Sequence, residues 1–148
     1  MQKRKLEDIT MAIIHCSATD LPYMDDICPI RYGHIHDNGW EDVGYHFFIT
    51  KRGTVQFGRK IDVVGAHARS FNSESIGICL SGEFEFKEIQ FMAAAVLLDT
   101  LREYLPGLKP RWIFPHRHLN VYKTCPNFSL SRISNFSKQK AEAFLLDV

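Results

Sequence analysis

The sequence lacks any long hydrophobic run, and its apolar stretches stay well below the ~18 residues that a membrane-spanning helix needs. The start of the chain at 2–5, with basic residues at Lys3, Arg4 and Lys5, is followed by the acidic residues Glu7 and Asp8, and no apolar stretch of secretory length comes after them. We therefore expect no integral membrane segment and no export signal, and a protein that is cytoplasmic as synthesised.

Net charge is also scarce. The 18 lysines and arginines are nearly balanced by 17 aspartates and glutamates, so the formal charge is +1. Proteins that bind nucleic acid or acidic lipid do so with clustered basic residues that displace counterions from phosphates. This composition therefore predicts no nucleic-acid partner.

Closely spaced cysteines are absent as well. The four cysteines are scattered, so the sequence does not show the regular spacing of a disulfide framework. Cys16 and Cys79 stand inside apolar runs, where a free buried cysteine is common. Cys28 carries no readable signal, and Cys125 is considered below with the histidines.

Internal repeats, low-complexity segments and linkers are missing too, which leaves nothing to divide the chain. Hydrophobic residues make up 45% of the 148 positions, enough for one core without help from disulfides or oligomerisation. We therefore expect residues 1–148 to form a single domain, with a core at about 11–136 and a tail at 137–148.

The sequence does contain several short apolar runs that are typical of strands, at residues 11–19, 74–82 and 111–116. A hairpin is predicted from 43–51 and 54–57, joined by a turn at Arg52 and Gly53. Two of the strands carry a histidine near their end, His15 in the first and His116 in the last.

Helical patterns separate these strands. Residues 87–104 repeat apolar side chains at intervals of three and four, which predicts an amphipathic helix. An earlier helix is predicted to begin after a cap at Asp25 or Asp26 and to end at Asn38 and Gly39, and a weak one is predicted at 138–146. Alternating strands and helices favour an α/β fold with a central mixed sheet flanked by helices.

Nitrogen and sulfur donors are concentrated near the end of the chain, in the string PHRHLNVYKTCP at 115–126. His15 and His116 stand at strand ends, and Cys125 lies in the loop that follows the last strand. A catalytic zinc site uses three protein ligands and keeps a fourth position for water, and thiolate favours zinc over magnesium. Spacing alone cannot separate His116 from His118 as the second histidine.

Four strings in this sequence resemble a known family: IIHCSAT at 13–19, GWEDVGYHFFI at 39–49, GRKIDVVGAHARSFNSESIGICLSG at 58–82 and KTCPNF at 123–128. They are similar, in the same order, to the zinc-dependent N-acetylmuramoyl-L-alanine amidases of the amidase-2 group. The resemblance spans residues 12–128. It implies the fold of the amidases and peptidoglycan recognition proteins, and hydrolysis of the amide between N-acetylmuramic acid and L-alanine in bacterial peptidoglycan.

The resemblance also implies the metal ligands. His15 matches the histidine of the family's first strand, and Cys125 matches the cysteine before proline in the last motif. The family's second histidine lies in a Gly-His-Arg-Asp string, which aligns with Pro115 to His118 and selects His116. Because Pro115 and His118 depart from that string, His118 stays as the alternative, and Zn²⁺ is the cofactor that this set implies.

Catalytic and substrate-binding residues follow from the same comparison. Tyr45 and Lys123 match the family's two proton carriers, which implies that Lys123 stabilises the oxyanion and that Tyr45 bonds the attacking water or the departing nitrogen. His67 and Asn72 match a segment near the peptide-binding groove and are expected to contact substrate. The resemblance and the lack of an export signal together suggest a phage or prophage endolysin that acts on the cell wall after release.

Three other functions stay open at this level. Some relatives bind peptidoglycan without cutting it, typically where the cysteine ligand is replaced, and the presence of Cys125 favours catalysis. A structural zinc site with four protein ligands would require His118 as the fourth. One phage member of the group binds an RNA polymerase, and a polymerase-binding surface cannot be read from these residues.

Overall fold

A mixed sheet of five strands, in the order β3-β2-β4-β1-β5, forms the centre of the protein. The computed structural model of the protein describes residues 1–136 of the 148. Strands β1, β2, β4 and β5 run parallel, and β3 is antiparallel to β2 at one edge. The strands are β1 (Met11–Cys16), β2 (Phe47–Ile49), β3 (Val55–Phe57), β4 (Ser75–Leu80) and β5 (Ile113–Pro115).

Helices cover both faces of this sheet. They are α1 (Ile27–His36), α2 (Glu88–Tyr104) and the one-turn helices α3 (His116–Leu119) and α4 (Ser131–Ser134). Short 3₁₀ turns occur at Leu6–Asp8, Pro22–Met24 and Asn72–Glu74. Within residues 1–136, every helix is too short or too polar to cross a membrane.

The two faces of β1 bury different side chains, because successive residues of a strand point to opposite sides. Ala12 and Ile14 belong to the larger hydrophobic cluster, which contains Phe91 and Leu98 of α2. Ile13 belongs to a smaller cluster on the other face. His15 follows the same alternation as Ile13, so the fold directs its imidazole away from α2.

Most of the predicted elements are confirmed. The predicted strands at 11–19, 74–82 and 111–116 correspond to β1, β4 and β5, although each observed strand is shorter by several residues. Asp26 is the residue that caps α1, since its carboxylate accepts a hydrogen bond from the N–H of Cys28 at 2.7 Å. The predicted helix at 138–146 lies outside the described residues.

The predicted hairpin is only partly right. Its turn is confirmed, with Gly53 in the left-handed conformation at φ +80°, but residues 43–46 are not in a strand. Their backbone pairs instead with the loop after β3: the N–H groups of Gly58 and Arg59 donate to the carbonyls of His46 and Tyr45, both at 2.9 Å. The prediction was wrong because this loop offers hydrogen-bond partners that the local pattern does not reveal.

Candidate metal centre

The pairing of β1 with β5 brings two histidines to the same place. Ile14 lies opposite Pro115 in the parallel ladder, and the next residue along each chain is His15 or His116. The imidazole rings of these two residues lie with their centroids 4.4 Å apart. Both therefore meet at the carboxyl ends of neighbouring parallel strands, the usual position for ligand sites in α/β sheets.

Cys125 reaches the same place from the loop that follows α3. The N–H of Arg117 donates to the carbonyl of Cys125 at 2.7 Å, and the Arg117 guanidinium donates to the carbonyl of Pro126. The backbone N–H of Cys16, next to His15, donates to the sulfur of Cys125 at 3.0 Å. Both the main chain and the sulfur of Cys125 are thus fixed beside the histidines.

The three donors form a cluster that is able to hold a metal ion. One ligand atom from each of His15, His116 and Cys125 lies within 4.8 Å of the other two. The same three residues line an open cavity of about 390 Å³, together with Tyr45 and Lys123. The structure therefore brings together five of the residues that the sequence singled out.

His118 lies apart from this cluster, although the sequence left it as a rival to His116. Its ring stacks on that of Phe114, with centroids 5.3 Å apart and an interplanar angle of 10°, and its side chain is exposed. The one-turn helix α3 directs His116 and His118 to different sides, because residues two positions apart in a helix point in different directions.

The two histidines of the cluster are uncharged at neutral pH. Burial, and then electrostatic repulsion from His116, when it is protonated, and from Lys123, hold the pKa of His15 well below its ordinary value. Burial and the charge of Lys123 likewise lower the pKa of His116. A metal ligand must be the neutral imidazole, so both rings are already in the form that binds a cation.

The thiol of Cys125 shares its surroundings with that of Cys16. The hydrogen bond with Cys16, followed by burial, raises the pKa of Cys125 above the ordinary value for a thiol. A cation at the cluster reverses this bias, because a coordinating thiol is deprotonated outright. The cluster combines two neutral imidazoles with one sulfur, a donor set that suits zinc.

Tyr45 precedes β2 and extends its ring over the cluster, with its centroid 5.1 Å from that of His15. Burial, and then the neighbouring Cys79 and Cys125, raise the pKa of Tyr45 well above its ordinary value. Its hydroxyl is therefore protonated throughout the physiological range and is able to donate a hydrogen bond.

Lys123 lines the same cavity and is exposed. Its backbone N–H donates to the carbonyl of Asn120 at 3.0 Å, which closes a turn just before Cys125. Because the Lys123 charge contributes to lowering the pKa of both His15 and His116, its ammonium group lies within electrostatic range of both metal-binding candidates.

His67 and Asn72 lie in the loop between β3 and β4. Nδ1 of His67 lies 2.9 Å from Nε2 of His15, and the ring also lines the cavity. Asn72 instead directs its carbonyl oxygen at the chain itself, accepting hydrogen bonds from the N–H groups of His67 and Ala68, both at 2.9 Å. Substrate contact by these two residues stays a prediction.

Two further residues shape this region, and the sequence reasoning missed both. The hydroxyl of Ser75 lies 3.3 Å from Nε2 of His67. Gly77 leaves the space that the ring of His67 occupies, since a Cβ at this position would lie 2.6 Å from its Cγ and Cδ2 atoms. A glycine inside an otherwise apolar strand is the available signal, because it often marks the close approach of another group.

Comparison with known proteins places this arrangement in a family. Residues 5–128 match the family described as N-acetylmuramoyl-L-alanine amidase. The endolysin of Klebsiella phage KP32 is 37% identical over 138 residues, and the endolysin of Escherichia phage T7 is 36% identical over 138 residues; in both, the match covers 89% of this chain and 89% of the relative.

Solved structures agree with the fold. The Ph2119 endolysin from the Thermus scotoductus bacteriophage superposes with a TM-score of 0.78 at 23% identity, covering 90% of this chain and 87% of the endolysin. Wild-type Drosophila PGRP-LB gives a TM-score of 0.74 at 24% identity, covering 93% of this chain and 84% of the Drosophila chain. The chain belongs to the N-acetylmuramoyl-L-alanine amidase family.

Proposed function

We propose that this chain is a zinc-dependent N-acetylmuramoyl-L-alanine amidase in which His15, His116 and Cys125 hold the ion. The observation that carries the proposal is the convergence of these three donors, within 4.8 Å of one another, in a cavity that Tyr45 and Lys123 also line. The family match and the endolysin relatives support hydrolysis of the amide that joins N-acetylmuramic acid to L-alanine in peptidoglycan.

The donor set fits a catalytic rather than a structural zinc site. Structural sites close all four positions with protein ligands, whereas catalytic sites use three. The candidate for a fourth ligand, His118, stacks on Phe114 instead. When bound, zinc supplies Lewis-acid catalysis, since it polarises a carbonyl and makes water more acidic.

Lys123 has the position and the charge to stabilise the negative oxygen that develops on the scissile carbonyl. Its ammonium lies within electrostatic range of His15 and His116 and borders the open cavity. A fixed donor directed at a developing oxyanion typically contributes about 10²–10³ in rate. We assign this role to Lys123.

Tyr45 acts as a hydrogen-bond donor. Its raised pKa keeps the proton on the phenol, so it is suited to bond the departing nitrogen or to orient the attacking water rather than to accept a proton. Its ring lies beside His15, with centroids 5.1 Å apart, and Tyr45 is not one of the three converging donors.

The shape of the site agrees with a branched glycopeptide substrate. A second open cavity, of about 240 Å³, adjoins the first and shares Ser17, His34 and Tyr45 with it. Residues of α1, among them Ile30 and Gly33, line this second cavity. The relatives named endolysins support action on the cell wall after release, and we propose that this chain does the same.

One experiment tests the whole proposal. Purified protein is assayed for bound zinc and for the release of L-alanine amino termini from isolated peptidoglycan, before and after chelation. We expect about one zinc per chain, loss of activity on chelation and recovery when zinc is restored. A Cys125→Ala variant is expected to lose both zinc and activity, and turnover without zinc would refute the assignment.

Binding of peptidoglycan without cleavage is the second candidate function. The full set of three donors argues against it. A polymerase-binding surface cannot be read from these residues, and a pull-down with a phage-type polymerase tests for one directly.

A further inference from the structure

A continuous row of hydrogen-bonding groups leads from His15 into the interior beside β4. Nε2 of His15 lies 2.9 Å from Nδ1 of His67, and Nε2 of His67 lies 3.3 Å from Oγ of Ser75. Oγ of Ser75 in turn donates to the carbonyl of Phe71 at 2.7 Å. His15, His67 and Ser75 are all buried.

We propose that His67 and Ser75 fix the tautomer and orientation of His15, so that its Nδ1 faces the metal ion. His67 is then a positioning residue for the metal ligand rather than a substrate contact. This inference rests on the proposed function, because it concerns the ion that His15, His116 and Cys125 are proposed to hold.

The carbonyl of Phe71 at the end of this row determines which atom in each hydrogen bond carries the hydrogen. A carbonyl only accepts hydrogen bonds, so the hydroxyl of Ser75 must donate to Phe71. The Ser75 oxygen is then the acceptor for Nε2–H of His67. With its hydrogen on Nε2, neutral His67 has a bare Nδ1, which accepts from Nε2–H of His15.

This direction leaves one nitrogen of His15 without a hydrogen. Neutral imidazole carries a single N–H, and in His15 that N–H is engaged by His67. The unprotonated Nδ1 is therefore the atom available to a cation. Metal-binding histidines in general donate their other ring N–H to a partner that sets the tautomer and the ring orientation.

His67 is itself held firmly in place. Its backbone N–H donates to Oδ1 of Asn72 at 2.9 Å, and its ring fills the space that Gly77 leaves open. Both of its ring nitrogens are engaged within the protein, so neither is left for a substrate. Asn72 therefore acts on the metal centre indirectly, by holding His67 in contact with His15.

Two substitutions of His67 separate hydrogen bonding from packing. His67→Asn is smaller than histidine but keeps an acceptor oxygen near the position of Nδ1. His67→Leu is close to histidine in volume but has no acceptor. The measured quantities are the zinc dissociation constant, by competition with a chromophoric chelator, and the visible spectrum of the cobalt-substituted protein.

We expect His67→Leu to weaken zinc binding about 10- to 100-fold, the usual effect of losing such a partner, and to alter the cobalt spectrum. His67→Asn is expected to stay much closer to the native protein in both measurements. If His67 only fills space, the order reverses, with the leucine variant binding zinc as tightly as the native chain. That result overturns the inference.

Ser75→Ala provides a second test in case a His67 variant does not fold. It removes the acceptor of Nε2–H while leaving His67 in place, and we expect weaker zinc binding with an unchanged ligand set. Unchanged affinity and an unchanged cobalt spectrum in this variant overturn the inference. A native protein that binds no zinc at all refutes the proposed function instead, so the two failures are distinguishable.

Discussion

The backbone N–H of Cys16 donates to the sulfur of Cys125 at 3.0 Å, which links positions 109 residues apart. Because Cys16 follows His15 directly, the strand end that presents the first imidazole also holds the sulfur. Hydrogen bonds from backbone N–H groups favour the charged form of an acceptor. This contact therefore favours the thiolate of Cys125, the form that binds a metal, although the thiol of Cys16 and burial act in the opposite direction.

Substitution of each histidine of α3 distinguishes the ligand from its neighbour. We expect His116→Ala to lose most of its bound zinc, because one of three converging donors disappears. His118→Ala serves as the matched control, since that ring stacks on Phe114, and it is expected to retain full zinc content and activity. Zinc analysis after gel filtration measures the zinc content of both variants, and an amidase assay measures their activity. Zinc loss in the His118 variant alone would contradict the assignment.

Loss of the Lys123 ammonium is expected to separate catalysis from metal binding. In Lys123→Ala we expect kcat to fall about 10²- to 10³-fold, with one zinc per chain retained, because Lys123 is not among the converging donors. Lys60→Ala, at an exposed position, controls for the loss of a positive charge. Steady-state turnover of soluble muropeptides measures the effect. Turnover at the native rate in Lys123→Ala would show that Lys123 has no part in the mechanism.

Removal of the Tyr45 hydroxyl is expected to lower kcat about 10²-fold or more without changing zinc content. Phenylalanine keeps the ring that packs on His15, so only the proton donor is lost. Because the pKa of Tyr45 is raised well above its ordinary value, the native pH–rate profile should show no decline from its deprotonation up to about pH 10. Tyr32→Phe, at an exposed site on α1, is the control.

The sequence predicted the elements whose patterns are local. The apolar run of β1 and the helical spacing of α2 each encode one element, because burial alone determines them. The end of β1 also predicted the location of His15, since neighbouring parallel strands deliver their carboxyl ends to one edge of the sheet.

The remaining features depend on contacts between distant residues. Spacing alone could not separate His116 from His118, because the sequence pattern does not distinguish the one-turn helix α3 from a loop. The strand predicted at 43–46 failed because those carbonyls bind the loop after β3. The row from His15 through His67 to Ser75 joins three separate segments, and periodicity carries no information about such a contact.

His46 makes the folded state sensitive to acid. Its Nδ1 accepts a hydrogen bond from the N–H of Gly77 at 3.0 Å, and its Nε2 donates to the carbonyl of Val63 at 2.8 Å. Protonation of Nδ1 would place two N–H groups against each other. Burial is the main cause that lowers the pKa of His46 to about 4, and Arg4 and Arg59 add to it.

The direction in which pH changes the free energy of unfolding follows from the pKa of His46, which differs between the folded and the unfolded chain. In the unfolded chain His46 takes up its proton near pH 6.5, whereas the folded chain resists protonation down to about pH 4. The stabilisation is complete above pH 6.5 and is lost as the pH falls towards 4, because the unfolded state binds more protons in that window. The full contribution is about 3 kcal/mol in the free energy of unfolding.

Urea unfolding of the native chain and of His46→Gln between pH 7 and pH 4.5 tests this contribution. Glutamine offers an acceptor and a donor but does not take up a proton, so its free energy of unfolding should fall less steeply with acid. The other buried histidines titrate in both proteins, and the difference between the two curves therefore isolates His46. His36→Gln, at an exposed position, controls for the exchange itself. Parallel curves for the native chain and His46→Gln would show that His46 is not responsible for the acid sensitivity.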